Sequence, residues 1–421
     1  MMIKIFLEFF NLSEQKLKYF ILVFFEKLIL LFFHIMFLNY LDRDLYGLFN
    51  QINFYSSYIM GVSLLGILIP ILVSYKNSTK EKVDFIISNF LFLSIIVSSL
   101  LFVIIIIFNE TVTGLIFGSN NYKLFLIPIY IIAISDILSE YIILKNRIFN
   151  KIISYSSFLL FRTSFKLFTI LAVYILTDSF LIAIIVSSLV YLVFVLFKIN
   201  FKFYNIQKKI IGSIFIFKQI LKEGSNLLFI YFFSTANIAI INIIISSQFM
   251  LDELAVYNMN FTISAIPVTI ASYIAFYSLP SFIDSSNNIG VVASLEALFK
   301  DILLVTVIFI AFFTTIFLSY DYIIPIIVNK SEYYNKDQFV YIYILNFFIA
   351  FVSFVQMPLL KKKKYSVLLL VYLFSIIINI SIVYFNKSNL KILTPIIASL
   401  ISNLFIISSI IIYYLYLKLK K

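Results

Sequence analysis

The chain has no cysteine and no tryptophan, one histidine (His34), and only eight glycines and seven prolines among 421 residues. Without thiols there is no disulfide framework, no thiol nucleophile and no cysteine metal site, and a lone histidine cannot build a histidine-ligated one. Charge is scarce too. Asp, Glu, Lys and Arg make up 12% of the chain, about half of the ~25% usual in soluble domains. No Pro/Gly/Ser-rich stretch and no long polar stretch offers a linker or a soluble domain. Residues 1–18 lack the apolar core and small-residue cleavage site of a signal peptide, so the first long apolar segment is expected to stay as a helix.

What is present is apolar surface. The chain is 62% hydrophobic, with 50 Phe and 29 Tyr and a mean hydropathy of +1.07. This composition implies an all-α polytopic membrane protein. A helix needs about 20 residues to cross ~30 Å of hydrocarbon. Apolar runs of that length predict twelve spans, at 19–40, 52–73, 85–108, 124–144, 152–176, 180–197, 225–247, 254–279, 301–318, 338–360, 366–385 and 392–416. Two shorter runs, Leu115–Phe117 and Ile323–Val328, are assigned to loops. The net charge of +12 does not suggest nucleic acid, because the excess sits between spans, where it sets orientation. With the N-terminus inside, the outer loops hold six cations, Arg43, Lys123, Lys330, Lys336, Lys387 and Lys391, against 23 on the cytoplasmic side. Both termini are therefore expected in the cytoplasm of a bacterial inner membrane.

The second half echoes the first. Asp44-Leu-Tyr-Gly-Leu-Phe-Asn50 precedes span two, and Asp252-Glu-Leu-Ala-Val-Tyr-Asn258 enters span eight 208 residues later. Pro70 matches Pro280, and Phe117-Gly-Ser-Asn-Asn-Tyr122 after span three resembles Val328-Asn-Lys-Ser-Glu-Tyr333 after span nine. Three matches in the same order predict two pseudo-symmetric six-helix lobes, 1–200 and 225–421. They are joined by a cytoplasmic connector, 201–224, whose Ile210, Ile214, Phe217 and Leu221 recur at helical spacing beside Lys209, Lys218 and Lys222. Six spans per lobe is an even number, so the repeats are related by an axis along the membrane normal.

With Leu41-Asp-Arg-Asp-Leu-Tyr-Gly47, Gly61, Gly66-Ile-Leu-Ile-Pro70, Phe117-Gly118 and Tyr257-Asn258, the chain resembles the Wzx-type O-antigen and polysaccharide flippases. These belong to the multidrug/oligosaccharidyl-lipid/polysaccharide exporter superfamily. The resemblance implies movement of a lipid-linked oligosaccharide from the cytoplasmic to the outer leaflet, with membrane lipid and other polysaccharide-assembly proteins as partners and no cofactor.

Seven ionisable residues interrupt the predicted spans, all in the first half: Glu26, Lys27, His34, Asp136, Glu140, Arg162 and Lys166. Each costs roughly 2.5–3.5 kcal/mol at a span centre on insertion scales, so a shared polar interior is expected. Arg162 and Lys166 are four apart and share a helical face, as do Asp136 and Glu140 on the preceding span. Lys27 and His34 share a face of span one, with Glu26 turned about 100° away. Glu26, Lys27, Asp136 and Arg162 lie at similar depth, roughly 10–16 Å from the cytoplasmic end. The pattern admits two readings: ion pairs that clamp helices together, or an anion site. In the second, Lys27, Arg162 and Lys166 grip the diphosphate that the resemblance implies, and Glu26, Asp136 and Glu140 balance charge or couple protons. The second half has no charge in the interior of its spans but offers Ser234, Asn237, Asn346 and Gln356 as candidate sugar contacts, with Ser353 on the same polar stripe as Asn346 and Gln356. Aligning Leu144-Lys145 with Leu360-Lys361 puts Gln356 at the place of Glu140.

Two other functions fit the hydropathy. A multidrug exporter of the same superfamily would need an anionic cavity for cationic drugs, and here acids and bases balance. A membrane polysaccharide polymerase usually carries a large catalytic outer loop, whereas the longest here, 319–337, has no histidine. An enzyme is therefore not expected.

Overall fold

The computed structural model describes residues 14–64, 79–149, 151–199, 225–271, 274, 291–328, 330–361, 364–386 and 391–419. Among them all regular structure is helical. In lipid every backbone N–H and C=O must be satisfied within its own segment, which is why apolar runs of this length become helices. The helices are α1 (Glu14–Tyr40), α2 (Arg43–Ser63), α3 (Lys80–Ile107), α4 (Asn109–Phe117), α5 (Leu126–Ile148), α6 (Ile152–Thr177), α7 (Phe180–Lys198), α8 (Ser225–Ser264), α9 (Val291–Ile327), α10 (Lys336–Val355), α11 (Met357–Lys361), α12 (Tyr365–Phe385) and α13 (Leu393–Leu419). Two 3-10 turns, Asn120–Phe125 and Ser331–Tyr333, complete the set.

Nine helical stretches among the described residues are long and apolar enough to cross a membrane. The other predicted spans fall on α1, on α2 and on the second part of α8. The continuation of span two to residue 73, with Gly66 and Pro70, lies outside the described residues, as do Pro280 and the 201–224 connector. Spans seven and eight are the two parts of α8, broken at Met250 (φ 71°, ψ 174°). The two runs assigned to loops are helical instead. Leu115–Phe117 ends α4, and Ile323–Ile327 continues α9 to its last residue. Each is too short to span but extends an adjacent helix or forms a short one. Pro128 and Pro395 lie in the first turns of α5 and α13, where a missing N–H costs no internal bond, so neither kinks its helix.

The chain divides into two compact units. The first comprises Met1–Phe37, Gln51–Thr113 and Asn120–Leu228. In it α5 packs against α3, α6 and α7, and α6 against α7. With 61% of its membrane window buried, against 22% for α3 and 17% for α6, α5 is the inner helix of this unit. Its serines fit a span because they bond back to their own helix, as Ser135 does to the Ile131 carbonyl at 2.7 Å.

The second unit comprises Leu38–Asn50, Gly114–Ser119 and Phe229–Lys421. α13 packs on α10 and α12 around buried Leu359, Leu368, Ile406 and Ile410. The two short pieces from the first half explain two glycines. A Cβ on Gly47 would run into the Leu251 carbonyl, and one on Gly118 (φ 70°) into the Ser246 carbonyl. The repeated strings thus meet in space, with Gly47 of the first lying against Leu251, the residue just before the second. Arg43 reaches the Asp252 carbonyl at 3.4 Å and the Glu253 carboxylate at 3.6 Å, and Lys330 donates to the Leu41 carbonyl at 2.8 Å. Tyr46 and Tyr333, both fully buried, meet edge to face. The chain breaks at Leu41–Asp42 and Met250, and the two 3-10 turns, recur at the spacing of the sequence repeat.

Candidate functional site

All seven ionisable residues of the predicted spans lie in the first unit, and six of them gather on α1, α5 and α6. α5 supplies Asp136 and Glu140 one turn apart, and α6 supplies Arg162 and Lys166 one turn apart. Because α5 and α6 are joined through Phe149–Lys151 and pack together, the acidic and basic stripes face each other. Arg162 Nη1 stands 3.9 Å from Asp136 Oδ1 and 3.8 Å from Glu140 Oε1. Neither distance is the 2.7–2.9 Å of a hydrogen-bonded guanidinium–carboxylate pair. Arg162 Nη1 is buried, and among the described residues no hydrogen-bond acceptor reaches it.

Two residues that the sequence reading missed hold the acids. Tyr191 on α7 is fully buried, and its hydroxyl donates to Asp136 Oδ1 at 2.7 Å and shares a 3.0 Å hydrogen bond with Ser139. Thr163 on α6 donates to Glu26 Oε1 at 2.9 Å, so α1 joins the cluster. The other Glu26 oxygen pairs with Lys27 Nζ at 3.0 Å. The lysine stem is long enough to fold back on its neighbour although the two side chains leave the helix about 100° apart. Lys27 is one-third exposed. Lys166 places its ammonium 5.9 Å from the centre of the Tyr191 ring, a cation–π distance. Among the described residues it makes no salt bridge within 4 Å. His34 is half-buried two turns beyond Lys27 on α1.

Only the position of Tyr191 could have pointed to it: it is the one aromatic hydroxyl in span six. Thr163 adjoins Arg162, but nothing in the sequence says that its face meets α1.

The neutral candidates lie in the second unit. Ser234 bonds back to the Tyr231 carbonyl at 2.9 Å. Asn237 belongs to a buried knot: its side chain donates to Ser375 at 3.0 Å and accepts from Asn379 at 3.2 Å, and Asn379 reaches Ser399 at 2.9 Å. Asn346 is buried and donates to Ser264 at 2.7 Å. Gln356, half-buried between α10 and α11, accepts from the Tyr372 hydroxyl at 2.8 Å.

No family model matches the chain, and no curated protein sequence matches it. Solved structures do. Lipid II flippase MurJ in an inward closed conformation aligns over 94% of this chain and 87% of its own, with a TM-score of 0.69 and 15% identity. The chain shares its fold with this flippase. An inward-facing multidrug resistance MATE family transporter of the MOP superfamily aligns over 94% of both chains, with a TM-score of 0.66 and 14% identity. The MATE multidrug transporter DinF-BH aligns over 95% of this chain and 94% of its own, with a TM-score of 0.64 and 13% identity. At these identities the likeness establishes the fold alone and leaves the function to be argued from the site itself.

Proposed function

We propose that the chain is a Wzx-type flippase, a transporter and not an enzyme. It would carry an undecaprenyl-diphosphate-linked oligosaccharide from the cytoplasmic to the outer leaflet of a bacterial inner membrane, for O-antigen, capsule or other surface polysaccharide. The observation that carries this reading is the buried Arg162 Nη1, which has two carboxylates near it but a hydrogen bond to neither. A clamp would close those gaps to bonding distance. A site that must admit phosphate oxygens leaves a guanidinium nitrogen such as Nη1 open to them, and a guanidinium suits phosphate oxygens. Lys166, one turn along α6, and Lys27, in contact with Glu26, supply the further cations for a diphosphate. Glu26, Asp136 and Glu140 hold the empty site neutral. Gln356 and Ser234 are the proposed sugar contacts. Asn237 and Asn346 would meet a sugar only after their interhelical bonds open.

In this reading residues 1–200 and 225–421 act as two lobes in alternating access, both termini are cytoplasmic, and the lipid tail stays in the bilayer. A cationic drug is the weaker fit, because three cations match the three acids. The test is the sidedness of the lipid-linked oligosaccharide in cells deleted for the gene. Wild type restored on a plasmid should clear precursor from the cytoplasmic leaflet, whereas Arg162→Ala, inserted at equal level, should not. Unchanged sidedness in the deletion strain would end the glycan reading and turn attention to drug efflux.

A further inference from the structure

Resting on the diphosphate reading of the charged cluster, we infer that α2 carries a recognition face for the sugar rings next to that diphosphate, formed by Asn53, Phe54, Ser57 and Tyr58. The composition of α2 sets it apart. Between Asn50 and Ser63 it holds three amides, three serines and two tyrosines, although it stands where span two is expected. Gln51, Tyr55, Ser56 and Ser63 are buried, the ordinary place for polar groups in a membrane helix. Asn53, Phe54 and Tyr58 are only half-buried, and Ser57 is exposed. These four project over one side of the helix. An amide and a hydroxyl turned toward hydrocarbon are costly, so this side of α2 meets water or a polar ligand and not lipid.

The second repeat shows that the fold does not require a polar face here. At the 208-residue spacing of the repeat the same places are taken by Phe261, Thr262, Ala265 and Ile266, also half-buried. The amide, the hydroxyl and the tyrosine are thus particular to α2.

Position ties this face to the charged cluster, which lies in the same unit as residues 51–64. Met60 and Leu64 follow Asn53 and Ser57 on one helical stripe. Met60 packs on the core that contains Ile137 and Tyr191. Leu64 shares the wall of a cleft with Glu140, whose carboxylate stands 3.8 Å from Arg162. Along the helix axis, Tyr58 lies about 9 Å and Asn53 about 16 Å beyond Leu64. A lipid-linked oligosaccharide has the matching order, its diphosphate first and its sugar rings after it.

The chemistry of the face suits a pyranose. The rings of Phe54 and Tyr58 are nearly parallel, with centroids 6.5 Å apart and planes at 21°. Their electron-rich faces accept the C–H face of a sugar ring. An Asn amide has two donor and two acceptor positions, so a bond within the protein still leaves others for sugar hydroxyls, and Ser57 can donate or accept. None of the four side chains is charged at neutral pH, so the face offers a cationic drug no counter-ion.

The experiment is calorimetry on the purified full chain in detergent micelles with three probes. Two are short-chain isoprenyl diphosphate diesters of N-acetylglucosamine and of galactose, and the third is the methyl diester, of equal charge but without a sugar. Wild type should bind at least one sugar probe about tenfold more tightly than the methyl diester. Asn53→Ala and Tyr58→Leu should each remove most of that preference and leave the methyl diester unchanged, whereas Tyr58→Phe should keep most of it. Because the chain has no tryptophan, Phe54→Trp keeps an aromatic ring and adds a single emission, which the preferred sugar probe should shift and the methyl diester should not. Wild-type binding without preference for either sugar overturns the inference and leaves the anion site standing. So does full preference in both Asn53→Ala and Tyr58→Leu, an equal loss of all three probes in both, or an unshifted Phe54→Trp emission. If wild type binds none of the probes, or Arg162→Ala binds the methyl diester as well as wild type, the diphosphate reading itself falls and takes this inference with it.

Discussion

Arg162→Ala removes a cation shared by two carboxylates, and its cost can be worked from the site. At about 4 Å and an effective dielectric constant near 20, each contact is worth roughly 4 kcal/mol before desolvation is counted. Removing one partner of a buried pair typically costs about 3–5 kcal/mol, because a charge is left uncompensated. The low end, about 3 kcal/mol, applies here, since neither carboxylate is hydrogen-bonded to Arg162 Nη1 and Asp136 keeps its bond from Tyr191. Adding Glu140→Gln to Arg162→Ala should recover about half of that loss by removing one stranded charge. Glu140→Gln alone should cost less than about 1 kcal/mol, whereas in a welded clamp it would cost as much as losing Arg162. The assay is equilibrium unfolding in mixed micelles for the wild type, both single variants and the double. If Arg162→Ala is as stable as wild type, or the double variant is less stable than Arg162→Ala, the electrostatic reasoning fails.

Other expectations follow from the same geometry. Tyr191→Phe deletes a hydroxyl bonded to a buried carboxylate and should cost about 1.5–3 kcal/mol in the same unfolding assay, with a smaller loss in Ser139→Ala. Gly118→Ala forces a side chain into left-handed backbone, at roughly 1–2 kcal/mol, and against the Ser246 carbonyl. It should therefore lower stability more than Gly114→Ala does. Asp44 lies in the first turn of α2, and its carboxyl is pushed up from its ordinary value by burial and by Asp252, against the opposing pull of Arg43. A raised folded-state value means that stability is lost as pH rises through the carboxylate range. Asp44→Asn should thus stabilise the protein at neutral pH and make no difference in acid, as read by thermal unfolding across that range.

The spans were legible because lipid leaves a backbone no other option, so an apolar run of sufficient length reads directly as a helix. The facing of α5 and α6 was legible for a similar reason: two charged pairs at i, i+4 on consecutive spans have few other ways to be satisfied. The contribution of α7 was not. Tyr191 sits in a helix that is otherwise apolar or small, and which of its faces meets α5 is decided by packing. Glu26 was placed by side-chain direction alone, which underestimates how far a lysine stem and a neighbouring threonine can reach. The short runs at Leu115–Phe117 and Ile323–Val328 show the limit of length as a criterion. It excludes spanning but does not exclude helix, and one run simply prolongs α9. The repeat was visible as three weak string matches, yet only the structure shows Gly47 seated on the backbone at Leu251.

The most direct test of the central claim is flipping in reconstituted vesicles. The substrates are a fluorescent short-chain lipid diphosphate sugar and a neutral glycolipid with the same tail and sugar, and the variants are Arg162→Ala and Lys166→Ala. The account predicts that wild type moves the diphosphate and discriminates against the neutral lipid, and that both variants lose diphosphate flipping while remaining folded. Equal movement of the two lipids by wild type, or undiminished diphosphate flipping by both variants, would contradict it.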